Sequence, residues 1–144
     1  DNFNILNNLM KTKIFINLPT KDLDKATAFY EKIGFTKNPK FSDENASWLA
    51  YDDVIHVMLL THDFFKTFLG KKEIADAKKT TEVLNALSVE SREAVNTFFE
   101  AAIAAWGKQH KDAYDHGFMY GRDFEDIDGH IWEIFWMDPK TSEE

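Results

Sequence analysis

Cysteine is absent from the 144 residues, glycine (6) and proline (3) are scarce, and no stretch approaches the about 20 consecutive apolar residues of a bilayer-spanning helix. Without thiols the chain has no disulfide scaffold, thiolate zinc site, iron–sulfur cluster or Cys nucleophile. Any metal would have to be held by His, Asp or Glu. Positive charge is the other shortage: 17 Lys+Arg against 25 Asp+Glu leave a net charge of −8. That balance disfavours phosphate backbones and anionic lipid, so neither nucleic acid nor a membrane is expected as a partner. No basic segment leads into an apolar core at the N-terminus, and a cytoplasmic location is expected. What is abundant is large apolar surface: 44% of residues are hydrophobic and 15% aromatic, with 13 Phe and 4 Trp. The length suits one domain of ordinary size with a packed core.

The order of elements repeats. Residues 1–12 are read as an extension, Asn-rich over its first nine positions. From Lys13 to Leu18, Ile14, Ile16 and Leu18 alternate with Phe15 and Asn17, the period of a half-buried strand ended by Pro19. Asp22 can then cap a helix whose apolar stripe is Leu23, Ala26, Phe29, Tyr30 and Ile33, closed by Gly34. Strand-like segments follow at 36–41, 46–51 and 55–61, separated by Ser/Asp/Glu/Asn turns. Residues 13–70 therefore read as a βαβββ module, with a short helix and charged linker over 64–79 in which Lys71, Lys72, Lys78 and Lys79 form a solvated surface. The same sequence of events returns over 81–139. A strand at 83–89 precedes a helix that Ser91 can cap, with Val95, Phe98, Phe99, Ala102, Ile103 and Trp106 apolar and Gly107 closing it. Strands at 118–125 and 131–137 flank an Asp128-Gly129 turn. Residues 71–80 link the modules and 140–144 form a tail. Neither module can bury its sheet face alone.

Asp22-Leu23, Phe29-Tyr30 and Gly34-Phe35 in the first module, with Asp126-Ile127-Asp128-Gly129 and Glu133-Ile134 in the second, resemble the glyoxalase / bleomycin-resistance / extradiol-dioxygenase superfamily, the vicinal oxygen chelate proteins. Ile127 stands where that family's closing motif usually has Pro. The resemblance implies an α+β fold of two βαβββ modules forming a curled mixed sheet around a cavity, usually completed in a homodimer. It also implies four cavity-facing metal-ligand positions in the metal-using members. These map to Phe15, Val57 (Met58 if the register slips by one), Leu84 and Glu133. Only Glu133 is a metal donor of the usual kind, so the standard centre, with its three or four protein ligands, is expected to be missing.

Several residues stand out as candidates. Glu133 shares a strand face with Ile131 and Phe135; a carboxylate there reads as a tentative base, an anchor for a cationic group, or half of an ion pair. His56, next to the mapped ligand position, reads as a weak metal ligand or as a satisfied core residue. His116, Tyr120 and Arg122 lie in the polar, glycine-rich run 115–123 and read either as ligand-binding groups or as turn chemistry, with Arg122 paired to a nearby acid. Trp48, Phe15 and Leu84 are the expected apolar ligand contacts. His62 reads as part of a helix start and His130 as an exposed turn residue. No phosphate-binding glycine loop or serine nucleophile elbow occurs. The leading expectation is a protein that binds a small organic molecule in an aromatic-lined cavity, without cofactor. The alternative is a metal-dependent lyase, isomerase or dioxygenase, with Zn, Ni, Mn or Fe bound through Glu133. The residues alone leave both open.

Overall fold

The computed structural model of the chain describes residues 11–142. Most of the predicted extension, residues 1–10, and the last two residues of the tail lie outside the described residues. The chain divides into two compact units, 1–74 and 75–144. Each carries its own four-stranded mixed sheet, and neither sheet closes on itself. The fold is α+β, as the resemblance implies.

In the first unit, β1 (Ile14–Thr20) places Ile16, Leu18 and Thr20 inward. Pro19 does not end the strand: β1 is an edge strand of the sheet, in the order β1-β4-β3-β2, where a missing N–H is tolerated. Asp22 then caps helix α1 (Leu23–Lys32) by accepting from Lys25 N at 3.1 Å. The helix buries Ala26, Phe29 and Tyr30 against the sheet. Gly34, at φ +114°, turns the chain out of the helix, and Phe35 N donates to Tyr30 O. β2 is only Thr36–Lys37, because Asn38 accepts from Lys40 N and Pro39 starts a 3-10 turn where a longer strand was expected. β3 (Ala46–Ala50) and β4 (Ile55–Thr61) complete the sheet, with β1 and β4 parallel. A short α2 (His62–Lys66) follows, capped by Thr61 Oγ1.

The second unit repeats this plan in the order β5-β8-β7-β6. β5 (Asn85–Ser88) is shorter than predicted and leaves Val83 and Leu84 exposed before it. Ser91 caps α3 (Arg92–Ala104), which buries Val95, Phe98, Phe99 and Ala102. β6 (Lys108–Asp115), β7 (Met119–Glu125) and β8 (Ile131–Met137) follow, with a final turn of helix α4 (Pro139–Ser142). Nothing in the hydrophobic pattern marks β6, which is almost wholly exposed and slips register twice against β7. Phe124, Trp132 and Ile134 face α3 and are fully buried. Each such side chain contributes about 1.5–3 kcal/mol. Among the described residues no helix is long and apolar enough to cross a membrane.

The two helices end differently. The residue in the left-handed region after α3 is Trp106 (φ +82°), not Gly107, whose N–H donates to Ala102 O. Trp106 therefore occupies the place that Gly34 holds after α1. It is also 78% exposed, so its ring does little packing to offset a conformation disfavoured for any side chain. Trp106→Gly is expected to raise stability by about 0.5–1 kcal/mol in urea unfolding; a loss of stability would show that the ring itself holds structure.

Candidate functional site

Alternation along β8 sends Trp132 and Ile134 toward α3 and Glu133 to the opposite, outer face. On β7 the residue directly opposite Glu133 is Asp123. Two carboxyl groups thus sit side by side across one antiparallel pair, where neighbouring side chains are about 5 Å apart. Tyr114 arrives from β6 opposite Gly121, and its ring lies where any Cβ at 121 would stand. Only glycine lets that ring lie over the strand. The Tyr114 hydroxyl comes to rest beside the Glu133 carboxylate. Tyr114 Oη and Asp123 Oδ1 are both buried, and among the described residues Asp123 Oδ1 meets no hydrogen-bond partner. Lys111 Nζ stands 3.8 Å from Asp123 Oδ2. Glu133 forms part of the wall of an open cleft of about 490 Å³, with Lys111, Asp112, Tyr114, His116 and Met119.

Burial pushes the Tyr114 hydroxyl well above the ordinary tyrosine range, and its hydrogen bonding to the Glu133 carboxylate, then that group's charge, add to it. Asp123 is raised by burial first and by the Glu133 charge second, opposed by Lys111 and His110. His110 is shared with Glu125, 3.2 Å away. Among the described residues no Lys, Arg or His lies within ion-pair distance of Glu133.

A clasp holds the rim of the cleft. Arg92, at the start of α3, donates to both Asp115 oxygens (2.6 and 2.9 Å) and to Gly117 O (2.8 Å), and lies over the rings of Tyr120 and Trp136. His116 is thereby placed between the rings of Tyr114 and Phe118, with its N–H donating to Met119 O.

The other sequence candidates fall elsewhere. Tyr120 and Arg122 face α3: both donate to Asn96 Oδ1, at 2.6 and 3.3 Å, and the Arg122 guanidinium lies 3.7 Å over the Phe99 ring. Of the three polar candidates in 115–123, His116 alone lines the cleft. Leu84 sits one residue before β5 and is 67% exposed. In the first unit Phe15, Trp48 and His56 share the outer face, with Phe15 stacked on His56 at 4.5 Å and Phe41 beside Trp48. Both His56 nitrogens are engaged: Nδ1 accepts from Trp48 Nε1 at 2.9 Å, which leaves the proton on Nε2, 3.0 Å from Asp53 O. In this arrangement His56 offers no lone pair to a metal. The expected mapping to Val57 is corrected by one residue, since Val57 is fully buried on the α1 side and Met58 has the parity of the outer face.

The four positions mapped from the resemblance thus present a phenyl ring, a thioether, an isobutyl group and one carboxylate, a donor set that does not fit a divalent centre of three or four N/O ligands. Asp126, Asp128 and His130 do come within 4.8 Å of one another. Their geometry is that of a turn, with Asp126 Oδ1 accepting from the backbone N–H of Asp128 and His130. His130 is half-buried, not exposed as expected.

Sequence reasoning misses Asp123, Tyr114 and Lys111. Asp123 was legible in principle, because it and Glu133 are equidistant from Asp128 in the final hairpin. Tyr114 was not, since nothing in the sequence marks β6 as a strand.

The clasp makes a prediction about acid. Hydrogen bonds from Arg92 and the Gly117 N–H hold Asp115 down to about 2. A depressed carboxylate stabilises the fold above its unfolded value of about 3.9 and loses that contribution as pH falls through about 2. In Arg92→Met, the Asp115 midpoint read by carboxyl-carbon NMR should climb back toward 3.9, with broadened His116 and Gly117 amides. A midpoint still near 2 would show that the loop holds itself.

The family described as bleomycin resistance protein-like N-terminal matches residues 12–47. A comparison with curated proteins found no match in sequence. Among solved structures the chain is similar to a hypothetical protein from S. aureus, with TM-score 0.73 and 23% identity over 88% of this chain and 94% of that one. It is similar to a glyoxalase/bleomycin resistance protein/dioxygenase family enzyme from Burkholderia phytofirmans PsJN, with TM-score 0.73 and 20% identity over 85% and 96%. It is also similar to a glyoxalase-related enzyme from Fulvimarina pelagi, with TM-score 0.70 and 21% identity over 88% of each chain. With the sequence motifs at both ends of the chain, these matches give it the fold of the glyoxalase/bleomycin resistance/dioxygenase superfamily.

Proposed function

We propose that this chain binds a small organic molecule in the cleft of its second unit, with Glu133 as the polar anchor and without the metal centre that the superfamily's metal-using members build at the four mapped positions. One observation carries the reading: Glu133 lies in the wall of an open cleft on the outer face, with no basic partner within ion-pair distance among the described residues. A carboxylate left in this state on a partly desolvated face is a recognition group waiting for a counter-group. The donor set supports the metal-free part, since phenyl, thioether and isobutyl groups at the other positions are poor partners for a divalent ion. Two of the neighbours are named as a glyoxalase/bleomycin resistance protein/dioxygenase family enzyme and a glyoxalase-related enzyme, names in keeping with a small-molecule site on this fold.

The lining is less aromatic than the sequence suggests. The large rings go to the α3 side (Phe124, Trp132) or to the outer face of the first unit (Phe15, Trp48). Tyr114, His116 and Met119 are left to supply the contact surface beside Glu133. This favours a ligand that is part polar over a flat hydrocarbon.

The test is a fragment screen by amide NMR, using neutral, anionic and cationic organic compounds. Hits are expected to shift His116, Met119 and Glu133 together, and Glu133→Gln should weaken the best of them about tenfold. A library with no hits in this cleft contradicts the reading. A stoichiometric divalent ion that is present in protein purified without chelator and lost in Glu133→Ala contradicts its metal-free part.

A further inference from the structure

The carboxyl pair at and behind the cleft wall is one positive charge short. Asp123, 5% exposed, and Glu133 face each other directly. The lone cation within ion-pair distance of either is Lys111, among the described residues, and its Nζ lies 3.8 Å from Asp123, beyond hydrogen-bond length. The remaining titratable groups at the cleft do not close the gap: Asp112 adds negative charge, His110 is shared with Glu125, and His116 stands between two rings. Two carboxyl groups held by one distant ammonium leave room for a second cation on the Glu133 side.

The oxygens indicate which cation. Glu133 has a carboxylate without a basic partner, Asp123 has a buried oxygen without a hydrogen bond, and the buried Tyr114 hydroxyl, turned to Glu133, keeps its lone pairs free to accept. These are three oxygen acceptors from three strands of one sheet. A primary ammonium carries three N–H donors and no acceptor, whereas a quaternary ammonium has none and a guanidinium spreads five across a plane. Lys111 shows the same chemistry from within the chain: an ammonium already leans toward Asp123, and its 65% exposed side chain is free to swing outward.

We propose that the cleft binds the primary ammonium group of a small organic amine, its N–H groups shared among Glu133, Asp123 and Tyr114. This rests on the reading of the cleft as a small-molecule site and names the class of ligand. On binding, the ligand ammonium takes the place toward which Lys111 leans, and the Lys111 side chain swings outward.

The probes are phenethylammonium, its N,N,N-trimethyl analogue and the neutral 2-phenylethanol, titrated at pH 7 into the full chain by calorimetry and amide NMR. Phenethylammonium should bind about tenfold or more tighter than either analogue, with shifts at 114, 123 and 133. Asp123→Asn and Glu133→Gln should each cost about tenfold and Tyr114→Phe severalfold. Lys111→Met, which removes a competing ammonium and leaves the three oxygens in place, should tighten binding severalfold. Melting curves of the variants separate lost binding from lost folding, and Lys111→Met gives a result of opposite sign that misfolding cannot imitate. Equal binding of the ammonium and the alcohol, or indifference to Asp123→Asn in a folded variant, overturns the ammonium site and leaves the small-molecule cleft standing. No binding of any probe, together with an empty fragment screen, overturns both.

Discussion

Asp123 and Glu133 face one another across β7 and β8 on a surface that Tyr114 covers, and much of the second unit serves to hold that register. A one-residue slip would turn Glu133 into the α3 core and bring Trp132 to the outer face. The hairpin turn prevents it. Asp126 Oδ1 accepts from two backbone N–H groups, and Gly129, at φ +94°, packs against the Ala77 carbonyl where a Cβ would collide. At the other end of β7, Arg92 pins Asp115 and Gly117 to the start of α3, which fixes where β6 lays Tyr114. Thus a turn, a clasp and one glycine under a ring determine whether the two carboxyl groups meet.

The two units share a plan and differ in what their outer faces can do. In the first, Phe15, Trp48, Phe41 and His56 pack ring against ring, and the hydrogen-bonding atoms of the His56 ring are satisfied within the unit. Such a face is chemically quiet. In the second, the corresponding face carries two carboxyl groups, a buried hydroxyl and an ammonium that are incompletely paired. Native folds rarely leave buried polar groups unsatisfied, and places where they do are candidates for function.

The fold was legible because its strongest signals are local. Asp22 and Ser91 are caps with apolar stripes behind them, and both do cap helices; the alternation of β1 matches its observed faces, whereas on β4 the expected cavity-facing Val57 is buried and Met58 has that parity. The errors have local causes as well. Gly107 draws the helix end one residue too far because a tryptophan takes a conformation usually left to glycine. Pro39 and Asn38 cut β2 short, and β6 has no hydrophobic period to read. Glu133 was legible as a cavity-facing acid, sharing a strand face with Ile131 and Phe135, and it lies in the wall of the cleft. Of its partners, Asp123 could be read from its spacing to Asp128 in the hairpin, whereas Tyr114 could not, because it comes from β6. Tyr120 and Arg122 were legible as polar groups near the cleft, but the face each takes is set by alternation along β7, which puts Asp123 out and its neighbours in.

The account depends on Asp123 and Glu133 sharing one desolvated surface, so that the buried member resists ionisation. Such a group favours the folded state at low pH and withdraws that contribution as pH rises through its folded midpoint. Carboxyl-carbon NMR of aspartate-labelled protein between pH 2 and 8 measures this directly. The account predicts an Asp123 midpoint above the ordinary value of about 3.9, moving downward when Glu133 is replaced by Gln. An Asp123 that titrates at or below 3.9 and ignores the Glu133→Gln change would mean that the two carboxyl groups do not share a site.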